Sequence, residues 1–186
     1  FNLVAKFGGH QDLIKDLNKG LLDLVITPKK NHANALAEYE AFSKERIVLV
    51  AGSKTPLNAV NKLLEQQDLK ALSAHLKQQI WYSASNEMDH FRRFWYDNFK
   101  SRADFKPNYI LPNIGSIIRC LEAENGFAIV PDFLVQKAIA KGSIHLVWQG
   151  IKESANTLYF ATRSDLQYKE EVNTIKEVFK QKMQPH

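Results

Sequence analysis

The stretch NIGSIIRCLEAENGFAIVP, residues 113–131, decides the fold class. Apolar residues spaced i, i+3, i+4, i+7 predict one buried helix face, namely Ile114, Ile117, Ile118 and Leu121. Asn113 stands at the N-cap position, and Gly126 ends the helix because glycine adopts the left-handed conformation without steric cost. Residues 127–130 are apolar and too few for another helix, so they predict a buried strand. Pro131 fits the first position of the next helix.

A helix, a bare apolar strand and a second helix are typical of a parallel sheet covered on both faces. The strand-like residues 108–111 lead directly into the helix that starts near Asn113. The N-terminus of that helix is therefore expected at the carboxyl edge of the sheet. Open α/β folds bind their ligands at this edge.

The same patterns extend over the rest of the chain. Apolar runs bounded by turn residues predict strands at residues 1–7, 21–26, 46–51, 80–83, 109–111, 144–148 and 158–162. Helical spacing predicts helices at residues 12–19, 60–64, 69–76, 87–99, 133–141 and 168–183. Residues 1–26 form a predicted β-α-β unit with a right-handed crossover. Residues 29–44 are polar without clean periodicity and are predicted to be loop.

The predicted elements fall into two α/β lobes. Residues 51–150 form a complete lobe, called lobe II. Residues 1–50 and 155–186 are each too small to bury a core alone and together form lobe I. The chain would cross between the lobes twice, near Val50 and near Gly150, and two crossovers make a hinge with a cleft between the lobes.

Composition places the chain among ordinary globular proteins. Of its 186 residues, 45% are apolar and 24% are charged. No run approaches the ~20 apolar residues of a membrane span, so no membrane association is expected. The single cysteine excludes an intrachain disulfide framework and a multi-cysteine metal site. The net charge of +5 is spread along the chain, and its densest clusters, Lys29-Lys30 and Arg92-Arg93, are interpreted as solvated surface rather than a nucleic-acid site.

Four segments in order resemble the effector-binding domain of LysR-type transcriptional regulators. Residues 20–26 (GLLDLVI) resemble the family segment G-x-L-D-x-x-I. Residues 45–50 (ERIVLV), followed by Thr55-Pro56-Leu57, resemble a strand and its H-P-L turn, with Thr55 in place of His. Residues 126–131 (GFAIVP) resemble the end of G-x-G-I-x-x-L-P, with Glu124 in place of the first glycine, and residues 142–147 (GSIHLV) resemble the strand that follows.

This resemblance implies a type II periplasmic-binding-protein fold: two Rossmann-like α/β lobes joined by two crossover segments. It also implies a small-molecule cleft, side-by-side homodimers, tetramers in the full-length protein, and a cytoplasmic bacterial location. DNA would be bound only through a winged helix-turn-helix upstream of Phe1. The first strand and first helix of the family domain are expected upstream as well.

Candidate effector contacts lie where helices begin at strand ends, because free N–H groups there favour a carboxylate or another anion. The predicted effector-binding residues are Gly8, Gly9, His10, Gln11, Thr27, Pro28, Ser83, Ser85, Asn113, Ile114, Gly115 and Ser116. The alternative is that Asn113, Ser85 and Asn86 only cap helices, which uses the same geometry.

Other chemistry-bearing residues have simpler interpretations. His10 is a donor to an anionic effector or a plain surface histidine. Cys120 has no second cysteine to resolve an oxidised thiol, so buried packing is expected. The aromatic residues of the predicted helix at 87–99 share one face, which indicates core packing rather than base stacking. No catalytic motif, metal-ligand spacing or cofactor-binding loop is present.

The leading hypothesis is the ligand-sensing, dimerising domain of a LysR-type regulator, without enzyme activity or cofactor. A solute-binding protein of the same fold, serving a transporter, is the alternative, which an upstream secretory signal would support. An enzyme on this scaffold would need a titratable cluster that the sequence does not display. Because one fold supports all three, the choice depends on the resemblance.

Overall fold

A computed structural model describes residues 2–30, 36–84, 88–151 and 155–183. The chain divides into two compact units. Unit 1 comprises residues 1–45 and 156–186, and unit 2 comprises residues 46–155.

The described residues form seven helices and seven strands. The helices are α1 (His10–Asn18), α2 (Asn58–Glu65), α3 (Leu69–Leu76), α4 (Asp89–Phe99), α5 (Ile114–Ala123), α6 (Asp132–Ala140) and α7 (Lys169–Met183). The strands are β1 (Leu24–Thr27), β2 (Ala37–Gly52), β3 (Trp81–Ser83), β4 (Tyr109–Ile110), β5 (Phe127–Pro131), β6 (Ile144–Trp148) and β7 (Ala155–Arg163). None of these helices combines the length and apolar character needed to cross a bilayer.

The sheet of unit 2 is mixed, whereas the sequence predicts a parallel one. β5 runs parallel to β3, and β3 runs parallel to β4. β2 is antiparallel to both β5 and β6. A bare apolar run reports that a strand is buried on both faces but carries no information about the direction of its neighbours. The prediction is therefore correct for β3, β4 and β5 and wrong for β2 and β6.

Helices cover both faces of this sheet, which accounts for the apolar strands. Side chains alternate along β2, so Ile47 and Leu49 pack in one core while Val48 and Val50 pack in the other. α2, α3 and α4 contribute to the first core, and α5 and α6 contribute to the second.

The first core of unit 2 is rich in aromatic rings. Trp81 lies edge-on to Phe91 with ring centroids 4.6 Å apart, and Phe91 stacks on Trp95 at 5.6 Å. Trp148 lies edge-on to Phe94 at 5.7 Å. The interpretation of the α4 aromatic residues as core is confirmed, because Phe91 and Trp95 are buried.

The stretch at 113–131 folds nearly as its sequence predicts. The Asn113 side chain caps α5 by accepting a hydrogen bond from the Ser116 N–H at 2.9 Å. Gly126 has φ +126°, and a Cβ there would lie 2.6 Å from the Tyr82 ring. All five residues of β5 are buried. Pro131 is the N-cap of α6 rather than its first helical residue.

Unit 1 is built on β7, which lies between β1 and β2 in the strand order and pairs antiparallel with β1. α1 contributes Ile14 and Leu17 to a small core with Val25 of β1. The first part of β2 is held by Phe42, which stacks on Phe160 of β7 with centroids 3.7 Å apart.

The strand predicted at residues 1–7 does not form over residues 2–7, the part of it that the structure describes. Residues 2–9 belong to no helix or strand. A strand needs a neighbour for its backbone hydrogen bonds, and no strand among the described residues pairs with this segment. Its apolar side chains remain exposed, with Val4 85% and Phe7 79% accessible. The predicted β-α-β unit at residues 1–26 is therefore wrong.

Two other predictions in unit 1 need correction. The strand predicted at 21–26 begins only at Leu24, because Gly20 at φ +72° ends α1 and Leu21 is exposed. The segment predicted as loop, 29–44, contains the first half of β2 from Ala37 onward. Lys176 and Lys180 of α7 each lie 2.9 Å from a Glu40 carboxylate oxygen, so long-range ion pairs support a strand that lacks an apolar period.

Candidate functional site

In unit 2 the structure brings Ser83 and the start of α5 to the same edge of the sheet. β3 and β4 run parallel, with Ser83 opposite Ile110. The Leu111 N–H donates to the Ser83 carbonyl oxygen at 2.9 Å. Both strands therefore end together, and the chain turns from β4 into α5 beside Ser83, as the sequence predicts.

The first turn of α5 has the donors that an anion needs. The Asn113 side chain occupies the Ser116 N–H, so this donor is already satisfied. The N–H groups of Ile114 and Gly115 have no acceptor among the residues that the structure describes. The Arg119 guanidinium donates to the Ser116 hydroxyl at 3.0 Å and adds a positive charge to the helix dipole. A carboxylate or phosphate group fits this environment.

In unit 1 the structure joins two predicted contacts, His10 at the start of α1 and Thr27 at the end of β1. Their Nδ1 and Oγ1 atoms lie 2.7 Å apart. Thr27 Oγ1 accepts from the Lys29 N–H at 3.2 Å, and the Lys29 carbonyl oxygen lies 3.4 Å away. The hydroxyl has one proton, which goes either to His10 Nδ1 or to the Lys29 carbonyl oxygen. In the second case an Nδ1–H of His10 donates to Thr27 Oγ1, so the direction of this bond depends on the tautomer of His10.

The surroundings of His10 keep its imidazole neutral. Burial lowers the pKa of His10 from its ordinary value, and the positive charge of Lys29 lowers this pKa further. Both effects disfavour the imidazolium form. Near neutral pH, His10 therefore carries no fixed positive charge.

An open cavity of about 380 Å³ lies beside α1. It is lined by His10, Gln11, Ile14, Lys15, Asn18 and Lys19. Its volume lies within the range of small-molecule pockets, and no carboxylate is among these lining residues. The exposed lysines of this cavity and Arg119 are polar groups that the sequence analysis did not select.

The remaining predicted contacts have clear positions. Gly9 is the N-cap of α1, and its carbonyl oxygen accepts from the Leu13 N–H at 3.0 Å. Gly8 precedes it, and Pro28 follows β1 directly. Ser85 and Asn86 lie outside the described residues. The structure thus groups Gly8, Gly9, His10 and Gln11 with Thr27 and Pro28 in unit 1, and Ser83 with residues 113–116 in unit 2.

Other candidate chemistries gain no support. Among the described residues, no group of three or more His, Cys, Asp or Glu side chains could hold a metal ion. Cys120 is partly buried and packs against the second core of unit 2.

Comparisons with known proteins agree with this architecture. A family model described as the LysR substrate binding domain matches residues 2–184. No curated protein matches the chain.

Several solved structures share the fold. The regulatory domain of NMB2055 (MetR), a LysR family regulator from N. meningitidis, is 17% identical with a TM-score of 0.64, and the match covers 94% of this chain and 76% of that one. ArgP from Mycobacterium tuberculosis is 13% identical with a TM-score of 0.70, covering 96% of this chain and 57% of that one. The CcmR regulatory domain of Synechocystis PCC6803, in complex with 2-PG, is 11% identical with a TM-score of 0.62. The match covers 94% of this chain and 80% of the CcmR chain.

Proposed function

This chain belongs to the LysR substrate-binding domain family, and we propose that it binds a small anionic effector and forms a homodimer within a LysR-type transcriptional regulator. Domains of this family are regulatory and not enzymatic. The family match over residues 2–184 is the observation that carries the proposal.

The anionic character of the effector follows from the donors at the two candidate sites. In unit 2, two N–H groups of α5 and the nearby Arg119 favour negative charge. In unit 1, Lys15 and Lys19 of α1 do the same. The solved CcmR regulatory domain holds 2-PG, which shows that a domain of this fold takes a small ligand.

An effector acts on such a domain only through a difference in its affinity for two conformations. Through a dimer, the shift would change the spacing of DNA-binding domains, and half-site spacing is what dimeric regulators read. Operator contact belongs to the winged helix-turn-helix expected upstream, and we place the regulator in the cytoplasm. The cleft between two lobes stays a prediction.

A thermal-shift screen of this chain against small carboxylates, amino acids and aromatic acids tests the proposal, with light scattering run on the same samples. A ligand that binds only the folded state at about 100-fold excess over its Kd adds about 2.7 kcal/mol of stability. We expect a specific shift and a dimer mass. A monomer at every concentration, with no shift from any compound, would contradict the proposal.

A further inference from the structure

The cavity on α1 continues beyond the predicted effector contacts. His10 and Gln11 at its upper end belong to the predicted set, but the cavity extends along the helix to Lys19. Its floor is Ile14, which is only 4% exposed, while Lys15 and Lys19 are exposed. The cavity therefore has a polar upper end, an apolar floor and a basic lower end.

The acidic residues of α1 offset only part of this charge and do not line the cavity. Asp16 accepts a hydrogen bond from Lys6 at 2.5 Å, and this bond is the largest cause of the lowered pKa of the Asp16 carboxyl. Asp12 lies in the first turn and does not line the cavity. The Asp16 charge is thus shared mainly with Lys6 and to a smaller extent with Lys19 and Lys15, and the cavity itself presents an imidazole, two ammonium groups and two amides.

The spacing of these groups limits the ligand. An α-helix rises 1.5 Å per residue, so the Cα atoms of His10 and Lys15 are separated by roughly 7.5 Å along the axis. Flexible lysine side chains shorten or lengthen that span by a few ångströms. A suitable ligand carries two negative groups joined by a short hydrocarbon chain. With one group at His10, the second group reaches Lys15 or Lys19, and the hydrocarbon chain covers Ile14.

We infer that the α1 cavity is a subsite for a dianion, and that Lys15 and Lys19 bind the second negative group of the effector. The inference rests on the proposed function in taking the occupant to be the effector. The ligand class is a short dicarboxylate, whose two negative groups reach both ends of the cavity, and not a monocarboxylate or a single phosphate group. Lys15 and Lys19 thereby set specificity, whereas the first group lies at the His10 end of the cavity.

The test is an NMR titration of the whole chain with acetate, succinate and inorganic phosphate at matched low ionic strength. The amide signals of α1 are followed in the wild type and in a Lys15→Gln, Lys19→Gln double variant. A Lys62→Gln, Lys70→Gln double variant is the control, because it makes the same charge change at exposed lysines of α2 and α3. Paired surface charges contribute modestly, so we expect an advantage of about 5- to 10-fold for succinate over both acetate and inorganic phosphate.

The expected result is that the α1 double variant loses this advantage and the control keeps it. Equal affinity for succinate, phosphate and acetate, or an equal loss in both double variants, would overturn the inference. If the thermal-shift screen finds an effector that the α1 double variant binds as tightly as the wild type, the subsite is wrong and the proposed function stands. If the screen finds no effector and no dimer, the proposed function fails too.

Discussion

The hydroxyl of Thr55 bonds twice to the backbone of Gly126. It accepts a hydrogen bond from the Gly126 N–H at 2.9 Å and donates to the Gly126 carbonyl oxygen at 3.2 Å. The same carbonyl oxygen accepts from the Gly52 N–H at 2.9 Å. Thr55 occupies the position of the histidine in the H-P-L turn of the resemblance, and its short side chain joins the turn after β2 to the turn before β5.

Replacing Thr55 with Val should destabilise the chain by about 1–3 kcal/mol. Valine has nearly the same shape but leaves the buried backbone groups of Gly126 without this partner. Urea unfolding measures the loss. Thr174→Val is the matched control and should change stability by less than about 0.5 kcal/mol, because the Thr174 hydroxyl on exposed α7 bonds only to the Glu170 carbonyl oxygen. An equal loss of stability in the two variants would show that the hydrogen bonds of Thr55 contribute no more to the free energy of unfolding than that of Thr174.

Two substitutions of Asn113 separate its capping role from a ligand role. Asn113→Ala removes the cap and should cost about 0.5–2 kcal/mol. Asn113→Asp keeps an acceptor for the Ser116 N–H, and its charge suits the helix dipole, so stability should be retained. The added charge repels an anion, however, and should weaken effector binding several-fold. Unfolding and binding measured on both variants check this. If the Asn113→Asp variant binds the effector as tightly as the wild type, Asn113 caps α5 and has no role in effector binding.

Asn98 on α4 should control the protection of the segment that follows β6. The buried Asn98 side chain donates to the Phe94 carbonyl oxygen at 2.8 Å and accepts from the Ile151 N–H at 2.7 Å. Asn98→Ala should destabilise the fold by about 1–3 kcal/mol and speed hydrogen exchange at Ile151 about tenfold or more. Asn61→Ala, at an exposed site on α2, is the control and should leave this exchange rate unchanged.

The neutral state of His10 predicts a pH dependence of stability. Because the pKa of His10 is lowered in the folded state, the unfolded chain binds more protons in acid. The contribution of His10 is therefore complete above its unfolded pKa of about 6.5 and is lost as the pH falls through the lower folded pKa. Urea midpoints between about pH 7.5 and 5 should fall less in His10→Gln than in the wild type. Parallel curves for the two proteins would refute this dependence.

Local sequence patterns predict the elements whose contacts are close in the chain. α3 forms over the predicted residues, with the Asp68 side chain accepting from the Ala71 N–H. An apolar stripe predicts α5, and the glycine at position 126 separates α5 from β5. The start of β2 is different, because Ala37 to Lys44 has no apolar period and depends on pairing with β7 and on lysines from α7. β7 and the α7 lysines lie more than a hundred residues away in the sequence, so the local pattern of residues 37–44 cannot predict this strand.

The candidate sites show the same division. Helix starts and strand ends selected His10, Thr27, Ser83 and Asn113 as separate candidates, and the structure adds that His10 lies 2.7 Å from Thr27. Lys15 and Lys19 look like a solvated helix face in sequence, and only the cavity beside α1 distinguishes them from other surface lysines. Arg119 lies three residues after Ser116 on the same helix, so i, i+3 spacing was the available signal.

The positions of the tryptophans restrict the tryptophan fluorescence of the chain to unit 2. All three, Trp81, Trp95 and Trp148, belong to unit 2, and two of them lie in its first core. Tryptophan fluorescence therefore measures the unfolding of unit 2 and does not detect the unfolding of unit 1. Far-ultraviolet circular dichroism measures the backbone structure of both units. A fluorescence midpoint that differs from the dichroism midpoint would be the signature of two units that unfold in separate steps.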